Sequence, residues 1–206
     1  MSTQRNKTQI NPMNMTAMKT DSQARESVSL GKAYLLLNHG PVTLISSAHD
    51  AQQNVMAASW AMPLDFNPPK MAVVIDRHTH SRKLIENSGE LVINIPSDHM
   101  INAIMRAGSL SGRDVDKLAD LPTSGSGSLV KAPLIAGCLA WLECRVLPDA
   151  HNQQQHDLFI VEVVAAWADP TVFRNGRWGF QTGGPRTLHY SAGGQFFLTG
   201  EACQAK

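Results

Sequence analysis

Apolar residues along this chain recur at every second position or in short continuous runs, a pattern that indicates β-strands rather than long helices. These runs are separated by polar turns and by breaks that contain Pro or Gly, such as Asn67-Pro68-Pro69. The pattern therefore predicts six strands, over residues 41–48, 54–62, 70–77, 91–96, 137–147 and 156–168.

Two short helices interrupt the strands in the middle of the chain. Ser81 is placed to cap a helix over residues 82–87, and Gly89 would end that helix in the left-handed conformation. A second, amphipathic helix begins at Asp98 and ends near Gly108.

The remaining connections carry turn residues. Ser and Gly predict a loop over residues 123–128, and Asn175-Gly176 predicts a hairpin turn. Six or more strands that are mostly antiparallel, with few helices, favour a closed or nearly closed barrel over alternating β-α-β units. The predicted fold class is mainly β.

Residues 1–27 differ from the remainder of the chain. They are rich in Thr, Asn, Gln, Ser and Met, contain no aromatic residue and show no hydrophobic periodicity. We predict a flexible N-terminal tail over 1–27, with an organelle transit peptide as the less favoured alternative, and one domain over 28–206.

Composition narrows the class of protein. Hydrophobic residues make up 43% of the chain, which is enough for an ordinary core, and 18 Lys and Arg nearly balance 17 Asp and Glu. This balance argues against a nucleic-acid partner, and no apolar run is long enough to predict a membrane span. Three cysteines without a Cys-x-x-Cys spacing predict free thiols and a cytoplasmic protein.

Familiar catalytic signatures are missing from the sequence. It contains no Gly-x-Gly-x-x-Gly, no phosphate-binding Gly-x-x-x-x-Gly-Lys-Ser/Thr and no Gly-x-Ser-x-Gly. A Rossmann domain, a P-loop enzyme and an α/β-hydrolase are therefore not indicated.

The segment 77–83 is the clearest candidate for chemistry. It holds three cations, two histidines and two hydroxyls, with no acid, at the start of a predicted helix. Free N–H groups and the helix dipole favour an anion there, and Thr79 and Ser81, with Arg82 or Lys83, could complete a phosphate site. The alternative is a solvated basic loop with an ordinary cap. A metal site at His78 and His80 is disfavoured because the neighbouring cations would repel the ion.

Two further segments have both a functional and a structural interpretation. In 54–60, the small residues and Trp60 would allow a ligand to approach the backbone closely. The same residues are equally consistent with a tightly packed strand that places Trp60 in the core. In 111–117, Ser111 and Lys117 flank a turn that is either part of a site or an exposed connection.

In their order along the chain, these segments resemble the flavin reductase-like, FMN-binding split-barrel family, and most closely its flavoredoxin branch. The resemblance extends from about Leu30 to Glu201. Its motifs are Gly40-Pro41-Val42, Ser46-Ser47, Asn54 with Ser59-Trp60, Pro68-Pro69, Leu84-Ile85, Gly89 to Pro96, Ser111-Gly112-Arg113-Asp114 with Asp116-Lys117, Ala132-Pro133-Leu134-Ile135, Glu143-Cys144-Arg145, the 159–164 strand, Tyr190 and Gly200-Glu201.

The resemblance implies a six-stranded antiparallel Greek-key split barrel that forms a homodimer and binds FMN near the subunit interface. It implies that the strand after the first hairpin lies beside the flavin ring and that the loop before the first helix holds the phosphate. The implied cofactor-binding residues are Asn54, Ala58, Ser59, Trp60, Arg77, Thr79, Ser81, Lys83, Asn94, Ser111 and Lys117.

The chain departs from the family pattern in a few places. Ala107 stands where some relatives carry a Cys, which argues against a thiol at that point. Residues 176–194 resemble the family least, so the resemblance assigns no role to Arg186 or His189.

The function implied by the resemblance is an NAD(P)H-dependent flavin oxidoreductase. Reduced nicotinamide, NADH or NADPH, would give a hydride to flavin N5, and electrons would pass to an unidentified acceptor. No catalytic side chain and no metal would then be required. The alternatives are an FMN-binding electron carrier without reductase activity and a split-barrel relative that binds haem or another ligand.

Overall fold

The structure is a computed structural model that describes residues 24–36 and 40–205. In chain order its strands are β1 (Glu26–Ser27), β2 (Thr43–His49), β3 (Gln52–Ala58), β4 (Ala61–Phe66), β5 (Pro69–Val74), β6 (Glu90–Pro96), β7 (Thr123–Ser126), β8 (Pro133–Ile135), β9 (Cys138–Leu147), β10 (Leu158–Ala168), β11 (Phe173–Arg174), β12 (Arg177–Trp178), β13 (Leu188–Ala192) and β14 (Gln195–Leu198). The α-helices are α1 (His80–Ser88), α2 (Ile101–Ser109) and α3 (Ala150–His156), and 3₁₀ turns span Leu30–Leu36 and Asp98–Met100.

The main sheet is antiparallel throughout. Its strands follow the order β3-β2-β6-β9-β10-β5-β4, and β1 pairs with the far end of β10. This confirms the mainly β, antiparallel fold class with a few inserted helices. The main sheet has eight strands rather than six, because the predicted strand 54–62 breaks at Ser59-Trp60 into β3 and β4, and because Glu26–Ser27 adds an edge.

Both faces of the central strands are buried, which explains their continuous apolar character. Along β6, Leu91, Ile93 and Ile95 join one hydrophobic cluster, whereas Val92 joins a second cluster on the opposite face. Trp141 of β9 is fully buried in that second cluster. The sheet therefore separates two cores, and α2 covers the second of them.

Helix α1 begins two residues before the predicted start. Thr79 is extended (φ −75°, ψ 148°), and its side chain accepts a hydrogen bond from the Arg82 amide, so Thr79 rather than Ser81 is the N-cap. Ser81 lies inside the first turn and is free to bind elsewhere. The predicted end is confirmed, since Gly89 adopts a left-handed conformation with φ 69°.

Two hairpins show how the turns are made. The β2–β3 turn lacks Gly, and Asp50 takes the left-handed conformation there with φ 52°. The predicted turn at Asn175-Gly176 is confirmed between β11 and β12, and both of its residues have positive φ.

Two connections differ from the sequence prediction. Residues 123–128 were expected to be a loop, but Thr123–Ser126 forms β7 and pairs with β8, a partner that the local Ser and Gly composition does not show. Helix α3 was not predicted, since it has no apolar face; its Asp149 cap accepts a hydrogen bond from the Asn152 amide and starts it.

The predicted tail, residues 1–27, falls for its first 23 residues outside the described residues. Its last part is not a tail, because β1 pairs with Trp167 and Ala168 of β10. The Arg25 guanidinium lies 5.6 Å from the centre of the Trp167 ring and stabilises the contact between this segment and β10.

Two of the three cysteines are core residues. Cys138 and Cys144 are fully buried, and burial raises the pKa of both thiols, whereas Cys203 is exposed. All three are free thiols. In the described part of the chain, no helix has the length and apolar character needed to cross a membrane.

Candidate functional site

Two adjoining cavities form a groove between β3 and the C-terminal half of α2. The first, called here the apolar cavity, has a volume of about 270 Å³, and the second, the polar cavity, about 370 Å³. Ala57, Gly108 and Ser109 line both. The groove therefore has one apolar and one polar end.

Small residues allow α2 to approach β3 closely at the centre of the groove. A Cβ placed on Gly108 would lie 3.3 Å from the Cβ of Ala57, which is tighter than an ordinary van der Waals contact. The run of small residues that the sequence shows at 57–59 therefore has two uses, since it lets the helix pack and keeps the groove open.

The apolar cavity combines β3, α2 and the late hairpin β13–β14. Ala58 and Ser59 form the strand side, and both were candidate residues. The other lining residues are Val42, Ala57, Ile104, Met105, Gly108, Ser109, Tyr190 and Phe196.

The polar cavity lies where four segments meet: β3, the start of α1, the end of α2 and the 111–117 connection. It brings together five of the candidate residues, which come from widely separated parts of the sequence. These are Asn54, Thr79, Ser81, Ser111 and Lys117.

A buried hydrogen bond ties two of these segments together. Asn54 Nδ2 donates to Ser81 Oγ over 2.9 Å, and both side chains are almost completely buried. A Cβ placed on Gly112 would lie 2.3 Å from Asn54 Oδ1, so only glycine lets the 111–117 connection cover this pair.

Lys117 carries a buried charge at the floor of the polar cavity. It is 5% exposed, and its Nζ donates to the Ala107 carbonyl over 2.8 Å. Among the described residues no carboxylate lies within ion-pair distance of this Nζ. Burial accordingly lowers the pKa of Lys117. A buried cation without a protein counter-ion favours an anion in the cavity.

His80 lies in the same positively charged environment as Lys117. Burial lowers the pKa of this imidazole, and the nearby charges of Arg113, Lys83 and Lys117 lower it further. The side chain lines the polar cavity beside the α1 N-terminus, where backbone N–H groups also favour an anion.

Four candidate residues lie outside both cavities. Arg77 is committed to other partners, because its guanidinium binds the Asp157 carboxylate and the Gln154 carbonyl. Lys83 is exposed on α1 and reaches the site only through its charge. Trp60 is 72% exposed beyond the end of β3, so it is not a core residue.

The fourth, Asn94, has a structural position. It is fully buried in β6, its Nδ2 donates to the Leu44 carbonyl over 2.8 Å, and its Oδ1 accepts from the Ile135 amide over 2.9 Å. These bonds hold β6 to β2 and to β8 and leave the side chain away from the groove.

Arg82 is also excluded from the phosphate role that the sequence left open to it. Its guanidinium binds Glu86 and Asp157 and lies 5.0 Å from the centre of the Phe159 ring. It anchors α1 to the start of β10.

Sequence reasoning missed several groove residues. Met105, Tyr190 and Phe196 line the apolar cavity, and the last two come from a hairpin that the sequence pattern did not interpret. Two features of the sequence could have identified this hairpin: the alternation of Leu188 and Tyr190 on one strand, and the aromatic pair that follows Gly193-Gly194. His80 was considered only as a metal ligand; in the described ranges, 24–36 and 40–205, no cluster of His, Cys, Asp or Glu is arranged to hold a metal.

Comparison with known proteins places the chain in a family. Residues 36–196 match the model of the flavin reductase-like domain. A protein of Escherichia coli strain K12, the uncharacterised YddH, is 42% identical over 183 residues, which cover 86% of this chain and 96% of that protein.

Solved structures agree with this match. An FMN-binding domain of a flavin reductase-like enzyme from Shewanella baltica superposes with a TM-score of 0.86 at 44% identity and covers 89% of this chain and 98% of its own. A flavoredoxin from Methanosarcina acetivorans superposes with a TM-score of 0.67 at 25% identity and covers 80% and 87% of the two chains. The family that the sequence motifs suggested is confirmed: this chain belongs to the flavin reductase-like domain family.

Proposed function

We propose that the groove binds FMN and that the protein is an NAD(P)H-dependent flavin oxidoreductase. The observation that carries the proposal is Lys117, a buried cation without a carboxylate partner among the described residues, at the polar end of a groove whose other end is apolar. FMN has the same division, with an uncharged ring system at one end and a phosphate at the other.

The residues present fit this cofactor. At the polar end, Ser81, His80 and Lys117 offer a hydroxyl, an imidazole and an ammonium group beside the first N–H groups of α1, a donor set suited to a phosphate. The Thr79 hydroxyl caps α1 and already donates to the Asp76 carbonyl. At the other end, Ala57 and Ala58 leave the strand backbone open to a flat ring. Their small side chains leave this space unfilled.

The chain's own contribution is binding and orientation. A bound flavin would supply the redox chemistry, taking electrons from NADH or NADPH and passing them to an acceptor. Met105 and Phe196 exclude water from the apolar cavity, and Lys117 fixes the charged end. No acid or nucleophile is required of the protein. This agrees with the described lining of the apolar cavity, which includes Tyr190 but no carboxylate, histidine, lysine or arginine.

We further propose that two copies associate through the outer face of β4. Trp60 and the alternate residues of this edge strand form an apolar stripe, with exposures of 72% for Trp60, 56% for Met62, 48% for Leu64 and 64% for Phe66. Exposed apolar stripes of this kind mark interfaces. Because Trp60 follows Ser59, which lines the apolar cavity, a second copy on this stripe would border the groove.

The cellular compartment that suits this chemistry is the cytoplasm. The three cysteines are free thiols, and two of them are buried in the core, as is usual for a reducing compartment. We therefore propose a cytoplasmic location.

One observation favours an FMN-binding electron carrier as the second candidate. Tyr190 and Phe196 of the β13–β14 hairpin already line the apolar cavity, whose volume of about 270 Å³ is below the roughly 300 Å³ at which small-molecule sites usually start. A ring that filled this space would leave little room for a nicotinamide beside it. A reductase therefore requires the hairpin to move or the nicotinamide to approach from the open side.

Two measurements separate these functions. An absorbance spectrum of the purified protein with added FMN shows whether the flavin band changes on binding; no change would remove both flavin functions and favour a haem-binding relative. Anaerobic stopped-flow mixing of the FMN-loaded protein with NADH or NADPH then tests the reductase. Bleaching of the flavin band supports it, and an unchanged band with both donors leaves the carrier.

A further inference from the structure

The imidazole of His80 lies between two cavities at the start of α1. It lines the polar cavity on one side and, on the other, a wider cavity of about 510 Å³ that is formed by the β2–β3 turn and the 112–118 connection. The side chain is half-buried, and among residues 24–36 and 40–205 it has no hydrogen-bond partner and no carboxylate at ion-pair distance. Both ring nitrogens are therefore available to a ligand, and the wider cavity gives solvent access to the ring.

The charges that act on His80 are positive. Burial lowers the pKa of this imidazole most, and the charges of Arg113, Lys83 and Lys117 lower it further. The Arg113 guanidinium is held beside the ring, because its Nη1 donates to the His78 carbonyl over 2.9 Å. Since the ordinary pKa of His is about 6.5, the ring of the ligand-free protein is neutral at pH 7.

Carboxylates line the same two cavities but do not neutralise the three cations. Asp76 Oδ1 accepts a hydrogen bond from the His78 amide over 2.7 Å, and Asp116 Oδ1 accepts one from the Leu118 amide over 2.8 Å. In the part of the chain that the structure describes, no carboxylate lies at ion-pair distance from any of the three cations. The cluster around His80 therefore has an excess of positive charge that an anionic ligand would balance.

The groups that face His80 come from four elements. The β2–β3 turn contributes only the uncharged Gln52 and Gln53, and the end of α2 contributes no charged group to the polar cavity. The titratable and charged groups are Asp76 and His78 from the loop before α1, Lys83 from α1, and Arg113, Asp114, Asp116 and Lys117 from the 111–117 connection.

We propose that His80 is a phosphate ligand that takes up a proton as FMN binds, so that the site selects the phosphorylated flavin more strongly as the pH falls towards neutral. The inference rests on the proposed function, because it takes the phosphate to lie in the polar cavity. The proton comes from solvent, the neutral imidazole becomes an imidazolium ion, and the phosphate remains a dianion.

The physical reason is the charge that the phosphate brings. A dianion in a half-buried space, where Coulomb interactions are only partly screened, offsets the repulsion from the three cations and attracts a further positive charge. Protonation also gives the ring a second N–H donor, since the neutral imidazole has only one. Riboflavin carries no phosphate and supplies none of these effects.

The test is isothermal titration calorimetry of the full chain after bound flavin has been removed. FMN and riboflavin are titrated at pH 7 in two buffers with different ionisation enthalpies, and the difference in observed heat gives the number of protons taken up per flavin. Free FMN contributes little to this number, because the second pKa of a phosphate monoester is about 6.

Two variants identify the group that takes up the proton. His80→Asn removes the titrating ring, and His78→Asn is the matched control, because His78 is a second, exposed imidazole that lines the polar cavity two residues away. The comparison of FMN with riboflavin in the wild-type chain needs no variant, and it serves if His80→Asn does not fold.

We expect the wild-type chain to take up about half a proton or more per FMN at pH 7, and none with riboflavin. The dissociation constant of FMN should fall as the pH decreases from about 8 to about 7, by up to about tenfold for a full proton. His80→Asn should abolish the proton uptake and flatten this pH dependence, whereas His78→Asn should keep both.

Three results would overturn the inference. The first is FMN binding by the wild-type chain without proton uptake, or with the same uptake as riboflavin. The second is unchanged uptake in His80→Asn, which would assign the proton to another group such as Lys117. The third is loss of the uptake in His78→Asn. A chain that binds neither FMN nor riboflavin contradicts the proposed function itself, a result that is distinct from these three.

Discussion

Asn54 and Ser81 are joined by a 2.9 Å hydrogen bond that links β3 to the first turn of α1, although 27 positions separate them in sequence. The bond brings the strand beside the proposed flavin ring and the helix beside the proposed phosphate into one rigid unit. Both side chains are buried, so the bond is shielded from water and its geometry is firmly held.

The charge of Lys117 is expected to decide whether the site prefers a phosphorylated flavin. In Lys117→Met the cation is lost while the length of the side chain is kept, so FMN should bind about tenfold to a hundredfold more weakly, as expected for a hydrogen bond to a charged group. Riboflavin, which has no phosphate, should be affected less. Fluorescence titrations of both flavins measure the difference.

Lys131→Met is the matched control, because Lys131 is an exposed lysine that lines neither the apolar nor the polar cavity. Equal losses of FMN and riboflavin in Lys117→Met would show that the polar cavity does not hold the phosphate.

The double variant Ser81→Ala, Lys83→Ala tests the other side of the same cavity. Ser81 loses a hydroxyl that lines the cavity, and Lys83 loses a charge that acts on it from the surface. We expect weaker FMN binding with a smaller change for riboflavin. If the single Lys83→Ala variant accounts for the whole loss, Ser81 has no contact with the phosphate.

Gly112→Ala should damage the site through a steric contact. The added Cβ would lie 2.3 Å from Asn54 Oδ1, so either Asn54 or the 111–117 connection must shift. We expect a loss of about 1 to 3 kcal/mol in the free energy of unfolding, as is typical of overpacking, together with weaker FMN binding. Chemical denaturation and flavin titration measure the two effects.

Gly179→Ala provides the comparison, since a Cβ there would meet nothing within 4 Å and the glycine has no positive φ. A Gly112→Ala chain as stable as Gly179→Ala would contradict the close packing of Gly112 on Asn54.

Glu143 should make the stability of the protein depend on pH in the acidic range. This carboxylate is completely buried, and burial raises its pKa, but hydrogen bonds from the Leu129 amide, the Trp167 indole and Ser128 outweigh burial and lower the pKa below its usual range. A lowered carboxyl pKa in the folded state stabilises the protein above the unfolded pKa, and the stabilisation is lost as the pH falls through the folded pKa.

We therefore expect the free energy of unfolding to fall as the pH decreases below about 4.3, the ordinary pKa of Glu. Glu143→Gln should be less stable at neutral pH by about 2 kcal/mol, and its stability should depend less on pH in that range. Denaturation curves at several pH values measure both. A variant with an unchanged pH profile would show that other carboxyl groups are responsible.

The apolar stripe on β4 should control the oligomeric state. Leu64→Lys and Phe66→Lys each place a charge on the exposed face of the edge strand, so sedimentation should show a shift from dimer to monomer. Gln155→Lys, at an exposed position of α3, should leave the dimer intact. A monomeric wild-type chain at micromolar concentration would remove the proposed dimer.

The sequence predicted the long strands well because both faces of those strands are buried. The apolar runs at 91–96 and 137–147 became β6 and β9, whose side chains alternate between the two cores. The hydrophobic period and the composition of each run are enough to predict a buried strand, so the identity of the neighbouring strands is not needed.

The candidate site was predicted only in part, because some side chains find partners that are remote in sequence. Arg77 belongs to the segment 77–83, which itself contains no acid, yet the Asp157 carboxylate just before β10 binds it. Asn94 is a polar residue of a kind that is common in binding sites, but its side chain forms hydrogen bonds that join strands inside the sheet. Tyr190 and Phe196 were missed because only the folded hairpin brings them to the groove.

A crystal structure of the protein with FMN tests the central claim most directly, because it locates both ends of the ligand in the groove. We expect the phosphate within hydrogen-bond distance of Ser81 Oγ and Lys117 Nζ, and the flavin ring in the apolar cavity beside Ala58. A phosphate bound elsewhere, with the polar cavity holding only solvent, would contradict the account.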